Sequence, residues 1–433
     1  MAIDVQPMFD DASDLAARTC SPHANGLEGS AILAIAQEVR TLRAAGKKIV
    51  NLTIGDFDPQ LFPIPAPFAS GIKRELDRGS TNYPPAVGVP ELRSAIRAYY
   101  KRELGLDYPE GTVQVGAGAR PPIYAAFASI LAPGDVVVYP VPSWNIRYYA
   151  YLNRAEGVPL ATRPEDGFMP SLDELRPHIR TARVLCLNSP LNPAGTAIRE
   201  SMLRELCQAI VAENDRRSSL GERPLMLLYD QVYWQLTFEG TTHHTPVGLV
   251  PEMAPYTIFI DAVSKCWAAT GMRVGWAVVP PWLRDRMRPL VGHMGAWAAR
   301  PEQLATAALL ADPGSLDDFY ATFRSAVQQR LVRLRDGLWA MRDEGLPVDA
   351  LDVEGAIYLT ARFDLLGRTV AGRTLSTADD IRAVLLHEAG VAVVPFSAFG
   401  YPGETGWIRL AVSSVSLDDV DVCLGNIRRL LQA

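Results

Sequence analysis

The sequence predicts an α/β protein with two parts: a large domain with a mostly parallel sheet covered by helices, and a smaller α/β domain. Three observations predict it. Short apolar runs alternate with helical stretches through the middle of the chain, and strands buried on both faces read as continuous apolar runs rather than alternating ones. Polar and charged residues gather directly after those runs, where ligands sit on parallel sheets. Beyond residue 310 the texture changes to one long amphipathic helix followed by short strands and helices.

The elements follow in order. Residues 1–28 read as an irregular N-terminal arm. Ser30 to Ala45 sets Ile32, Leu33, Ile35, Val39 and Leu42 at helical spacing, and Gly46 closes it. Asn51 to Pro67 is rich in proline and reads as extended or looped. A helix is expected over Glu91–Leu104, after Pro90. Strands are expected at Val113–Val115, Val136–Tyr139, Val184–Leu187, Leu225–Tyr229, Thr257–Ile260 and Val274–Val279. Helices at Ile123–Leu131 and Ser201–Asn214 separate some of them, and Arg216–Pro224 reads as a polar loop. Phe319, Phe323, Val327, Leu331, Leu334, Leu338 and Met341 recur three or four apart, the stripe of a long helix. A strand at Ala356–Ala361, a helix at Ala378–Ala389 ended by Gly390, strands at Val391–Val394 and Trp407–Val412, and a last helix complete the chain. The division expected is 29–50 with 310–433 as the small domain and 51–309 as the large one.

Bulk properties narrow the function. The 433 residues are 48% hydrophobic and 21% charged, an ordinary globular balance. A net charge of −6 argues against nucleic acid as the main partner. No apolar run approaches the roughly 18 residues needed to cross a bilayer. Met1 to Cys20 is acidic and lacks a basic segment ahead of an apolar one, so no secretory signal is expected. The five cysteines are scattered without metal-ligand spacing, as befits reduced thiols in a cytoplasm.

One count is sharper. Of 42 basic side chains only five are lysine: Lys47, Lys48, Lys73, Lys101 and Lys265. Four lie in polar surroundings. Lys265 follows the apolar run Thr257–Ile260, in a chain that otherwise prefers arginine. Lysine can lose its proton and attack a carbonyl, which arginine cannot. The plainer alternative is a lysine at a strand end that extends its head group to water, and composition leaves both open.

The other strand ends carry their own candidates. Asp230 and Tyr233 follow Leu225–Tyr229, and Asn188-Ser-Pro-Leu-Asn192-Pro-Ala-Gly195 follows Val184–Leu187. Arg273 lies eight residues after Lys265, Pro142-Ser-Trp144 follows Val136–Tyr139, and Gly116-Ala-Gly118-Ala119-Arg120 opens a helix. Gly116 and Gly118 lack the third glycine of a dinucleotide fingerprint, and Pro121 and Pro122 follow them, so that reading is weak. His243-His244 reads as an isolated surface pair rather than a metal site.

In this order the motifs resemble the class I/II aminotransferases, pyridoxal-phosphate enzymes of fold type I, and especially their bacterial aspartate-aminotransferase-like branch. The resemblance spans about Leu27 to Leu431. It rests on Gly55-Asp-Phe-Asp, Asn82-Tyr83-Pro through Arg93, Pro142-Ser-Trp144, the Asn188–Gly195 segment, Asp230 with Tyr233, Ser264-Lys265 with Arg273 and Gly275, Gly355-Ala-Ile-Tyr358 and Trp407-Ile-Arg409.

The resemblance implies the cofactor pyridoxal 5'-phosphate, an electron sink for a carbanion at the substrate's Cα. Lys265 would bind it as a Schiff base and later shuttle a proton. Asp230 would hold the ring nitrogen protonated. Asn192 and Tyr233 would donate to the ring's phenolic oxygen, and Trp144 would stack on the ring. The backbone at Gly118, Ala119 and Arg120 would receive the phosphate at a helix start, with Arg273 and Ser264 beside it. Tyr83 would reach the phosphate of a neighbouring subunit, so a homodimer with shared sites is implied. Arg409, with Asn192 and Gly55, would grip the substrate α-carboxylate. Substrates would be an L-amino acid and a 2-oxo acid, with neither nucleic acid nor membrane as partner.

Departures from the family pattern fall around the side-chain pocket. Ala262 and Ala194 replace hydroxyl residues, the Gly55 motif is one residue short and lacks its proline, and Ile32 stands where a hydroxyl assists. Arg120 replaces a lysine that meets an acidic side chain in aspartate-type relatives, so an acidic substrate is one expectation. Arg300, in Trp297-Ala-Ala-Arg300-Pro, is the rival anchor. Two other functions compete: a different pyridoxal-phosphate reaction such as β-elimination, cyclisation or oxidation, and a non-catalytic DNA-binding regulator. The regulator needs a basic winged-helix domain ahead of the fold, which the acidic arm does not supply.

Overall fold

A computed structural model of the chain describes residues 2–6, 9, 15 and 18–432. Its main strands are, in chain order, β1 (Val50–Asn51), β2 (Val113–Ala117), β3 (Val136–Val141), β4 (Glu156–Ala161), β5 (Ala182–Asn188), β6 (Met226–Asp230), β7 (Thr257–Ala262) and β8 (Val274–Val278). There follow β9 (Val348–Ala350), β10 (Tyr358–Phe363), the pair β11 (Thr369–Val370) and β12 (Arg373–Thr374), β13 (Val391–Ala392), β14 (Val394–Pro395) and β15 (Trp407–Ala411).

Seven of them form one sheet in the order β2-β8-β7-β6-β5-β3-β4. Strands β7, β6, β5, β3 and β4 run parallel, and only β8 is reversed against its neighbours β2 and β7. All six predicted central strands are in it. The sheet is buried on both faces, which is why its strands read as unbroken apolar runs. Successive residues serve opposite cores: Leu227, Tyr229 and Phe259 join one cluster, Met226, Leu228, Ile258 and Ile260 the other.

A third apolar cluster lies under an antiparallel sheet of order β14-β15-β10-β9. Phe323, Val327, Leu331, Leu334 and Leu338 of the helix Asp317–Asp343 pack there. Leu52, Phe57 and Phe62, from the proline-rich segment, join the same cluster. That segment is looped, with a turn at 59–61, until a helix begins at Ala66, and its Gly55 and Asp56 line the large sheet's cleft.

Several elements differ from expectation. The helix Glu200–Ser219 runs into the stretch read as the loop 216–224. Arg216 and Arg217 both bind Glu213, and Arg217 also donates to carbonyls of Ile179, Arg180 and Ala182, so the polar residues serve a helix end. The edge strand β4 escaped notice because it contains Pro159 and is polar at its start. Helices at Ala66–Asp77, Pro281–His293 and Arg300–Ala311 were also unread; each starts at or beside a proline that suits a first turn. Within the arm expected over 1–28, residues 1, 7, 8, 10–14, 16 and 17 lie outside the described residues, and Pro22–Asn25 form a short helix capped by Ser21. Among the described residues no helix is long and apolar enough to cross a membrane.

Candidate active site

The parallel sheet brings many of the predicted residues to one edge, and β15 of the antiparallel sheet adds Arg409. Asp230 ends β6 and stands in register with Asn188 at the end of β5 and Ile260 near the end of β7. Lys265 lies in the short helix Val263–Cys266 just past β7. Gly118, Ala119 and Arg120 turn from β2 into the helix Arg120–Ile130. Because β8 is reversed, Arg273 reaches the same edge from its start. A cleft of about 550 Å³ opens there. Gly55, Ala119, Arg120, Trp144, Asn192, Asp230, Tyr233, Ser264, Lys265, Arg273 and Arg409 all line it.

The Lys265 amine donates to the carbonyl of Gly55. Burial pushes its pKa down to about 8, against the pull of Asp56, with help from Arg409, Arg273 and Arg120. The amine therefore loses its proton far more readily than an ordinary lysine, though the protonated form still predominates near neutral pH.

Asp230 is pushed up to about 6 by burial, which its bond from Val232 N at 3.2 Å and the charge of Lys265 only partly offset. Among the described residues it has no ion pair. Such a carboxylate is suited to a cationic group placed against it.

Arg409 is 1% exposed. It donates to Asn192 Oδ1 at 3.1 Å and to the Thr53 carbonyl at 2.5 Å, while its buried Nε has no partner. The rings of Tyr358 and Phe399 lie 4.6 and 4.9 Å from its guanidinium carbon. No carboxylate pairs with it among the described residues, so two of its five donors are engaged and a carboxylate ligand suits the rest.

Two glycines shape the anion-binding turn. Gly118 has φ +82°, and a Cβ there would meet Arg273 Nη2 at 2.2 Å. A Cβ on Gly275 would lie 2.4 Å from the carbonyl carbon of Gly118. At the start of the helix Arg120–Ile130 the N–H groups of Ala119 and Arg120 have no intrahelical partner, while Pro121 and Pro122 carry none and Ile123 N donates to the Ala119 carbonyl; the helix dipole favours an anion there. Arg273 is fixed above them by bonds to the Thr270 and Ala117 carbonyls at 2.7 and 3.1 Å. We expect Gly275→Ala to destabilise the fold by about 1–3 kcal/mol, the usual cost of overpacking. A melting curve checks this, and unchanged stability would mean the turn has room that the backbone contacts deny.

Sequence reasoning missed some of the surroundings. Tyr358 forms a 2.7 Å bond with Tyr233 through their hydroxyls, and its own hydroxyl would collide with a Cβ on Gly55 at 2.6 Å. Its motif was read as a family signature without a role. Asp56 lines the cleft and accepts from Thr270; it stood in the Gly55-Asp-Phe-Asp motif without a role of its own. Tyr83 and Arg300 do not line the cleft of their own chain. Tyr83 is 83% exposed and meets the edge of Trp297, while Arg300 donates to Asn82. The His243-His244 reading needs correction: His243 is half-buried against Gln231 and Tyr229, and burial first, then His244, hold its pKa down at about 3.

Comparison with known proteins identifies the family. The family model described as "Aminotransferase class I and II" matches residues 47–427. The aspartate aminotransferase of Geobacillus stearothermophilus is 30% identical over 411 residues, covering 94% of this chain and 97% of that one. The aspartate/prephenate aminotransferase of Cereibacter sphaeroides is 32% identical over 376 residues, or 86% and 89% of the two chains. Among solved structures, the aspartate aminotransferase from Rhizobium meliloti superposes with a TM-score of 0.87 at 28% identity, covering 96% of this chain and 99% of that one. The Thermus thermophilus enzyme with maleate gives 0.84 at 27%, with 96% and 100% covered. A parallel sheet with its polar residues gathered at one edge, and a match along most of the chain, place this protein in the class I and II aminotransferases, enzymes that move an amino group between an amino acid and a 2-oxo acid.

Proposed function

We propose that the cofactor of this amino-group transfer is pyridoxal 5'-phosphate and that Lys265 is its covalent anchor. The observation that carries the reading is a lysine with a lowered pKa in a cleft that also holds the Asp230 carboxylate and the buried Arg409 guanidinium, neither in an ion pair among the described residues. The cofactor supplies an electron sink for the bond cleaved at the substrate's Cα.

The chain's own residues do the rest. Asp230 would face the ring nitrogen, and a cation there would hold its carboxylate ionised against the upward push of burial. Trp144 offers a ring face, and Asn192 and Tyr233 offer donors for the ring's oxygen. Backbone N–H groups at Gly118, Ala119 and Arg120, with Ser264 and Arg273, would hold the phosphate. Arg409 would take the substrate α-carboxylate, supported by Asn192 and near Gly55. Lys265 is placed to take a proton from Cα and return it. Tyr83 is exposed and does not line its own cleft; we take it to reach the phosphate of a second subunit, in a cytoplasmic homodimer with shared sites, with Arg300 held nearby by its bond to Asn82. The test is a spectroscopic screen in which single amino acids convert the bound cofactor to its amine form and a 2-oxo acid restores it. If no amino acid converts it, the proposal fails.

Arg120 bears on the substrate side chain. It lines the cleft, lies 4.6 Å over the Trp144 ring and has no ion pair among the described residues. We read it as the anchor for an acidic side chain. Arg120 is exposed in the open cleft, so Arg120→Met should reduce the preference in kcat/KM for aspartate or glutamate over alanine by about 1 kcal/mol, the upper end for a solvent-screened ion pair. A wild type without any acidic preference would assign Arg120 to the phosphate instead.

A further inference from the structure

Asp261 lies in β7, four positions ahead of Lys265, and does not line the cleft. It is 1% exposed and has no ion pair among the described residues. The titratable groups that face it are Asp230, Tyr99, Tyr100, Cys266 and Tyr320, none of them a cation. Burial pushes its pKa up to about 8. A buried carboxyl without a cation costs stability, and an apolar side chain of the same size would not. Such a group beside a reacting centre points to a functional task. Its bonds show the task. One oxygen accepts from the Ala262 N–H at 2.8 Å and the other from Trp234 Nε1 at 2.9 Å. Trp234 follows Tyr233 and opens the helical turn Trp234–Leu236. At the start of the same loop the Gln231 N–H donates to the Ile260 carbonyl at 3.0 Å. The loop after Asp230 is thus tied to the strand that leads to Lys265 on both sides of Tyr233, whose ring centre lies 5.8 Å from the Lys265 amine.

We propose that Asp261 is a positioning residue: by accepting from Trp234 it fixes the adjacent Tyr233 so that the Tyr233 hydroxyl meets the ring oxygen of the cofactor. It rests on the pyridoxal-phosphate reading for what that hydroxyl meets. The Tyr358 hydroxyl, at 2.7 Å, fixes the Tyr233 hydroxyl from one side. The clasp on Trp234 fixes the backbone that carries it. A hydrogen bond weakens steeply once its donor is misaligned, so loosening the clasp costs the bond to the ring oxygen without removing the tyrosine.

The test follows the absorbance of the cofactor-loaded protein against pH. A donor to the ring oxygen favours its anionic form, so losing the donor raises the pH at which the absorbance changes, whereas losing a nearby negative charge lowers it. Tyr233→Phe sets the scale, with an upward move of about 1 pH unit or more. Asp261→Leu removes the acceptor in a side chain of similar shape. Trp234→Phe removes the donor and leaves the Asp261 charge in place. Both should move the midpoint upward, and neither should move it further in a chain that already carries Tyr233→Phe. A midpoint unmoved or lowered in either variant overturns the proposal, as does a change added in full to that of Tyr233→Phe. If Tyr233→Phe itself leaves the midpoint unmoved, or no variant loads the cofactor, the clasp is judged on the cofactor-free chain by chemical denaturation. There Asp261→Leu and Trp234→Phe together should lose less stability than the sum of their separate losses, and additive losses overturn the clasp. A coupled pair with no effect of Tyr233→Phe on the absorbance leaves the clasp standing and removes the role of Tyr233 at the cofactor.

Discussion

Lys265→Ala should abolish turnover, a loss of at least about 10⁴-fold, since it removes both the covalent anchor and a general base. Borohydride should fix the cofactor to the wild-type chain at Lys265 and leave the variant unlabelled. A label mapped to Lys47, Lys48, Lys73 or Lys101 in the variant would overturn the assignment. The amine also has a stability signature. Its pKa in the fold is about 8 against a reference of 10.5. Between those values the unfolded chain binds more protons than the folded one, so stability of the cofactor-free protein should rise with pH above about 8. The variant should lack that rise.

Asp230→Ala should lower kcat by roughly 10²–10⁴, the rate equivalent of the 3–5 kcal/mol lost when one side of a buried charge pair is removed. Near-full activity would place the anion elsewhere. In the cofactor-free chain the sign reverses, because desolvation then outweighs the bond from Val232 and the charge of Lys265. Its pKa is about 6 in the fold against 3.8 in the reference state. The folded chain binds more protons over that window, so Asp230 costs stability as pH rises from about 4 to 6. Asp261, pushed up to about 8 by burial despite its bonds from Trp234 and Ala262, acts in the same sense over a wider range. Denaturation of variant and wild type across pH isolates the Asp230 contribution, and parallel curves would mean that this carboxylate is solvated.

The central strands were legible because both faces of the sheet are buried, which leaves an apolar run followed by an abrupt polar residue at each strand end. Lys265 stood out through the scarcity of lysine together with its place after an apolar run, and Asp230, Asn192 and Arg273 through their place near such runs. The long helix at Asp317–Asp343 showed itself through the spacing of its apolar stripe. These are local signals, carried by residues close together in the chain.

Contacts between distant residues left no such trace. Arg409 and Asn192 are 217 positions apart, and the Arg409 guanidinium meets the Thr53 carbonyl only because β15 and the 52–57 segment fold against each other. The Tyr233–Tyr358 bond, the Lys265 contact with Gly55 and the need for glycine at 275 are likewise products of packing. So is the bond between Asp261 and Trp234, 27 positions apart. The sequence by itself determined which chemistry sits at the strand ends, because period and polarity are properties of neighbours. Only the tertiary structure decided which of those groups are buried, paired or left without a partner, because burial and pairing depend on what the rest of the chain brings against them.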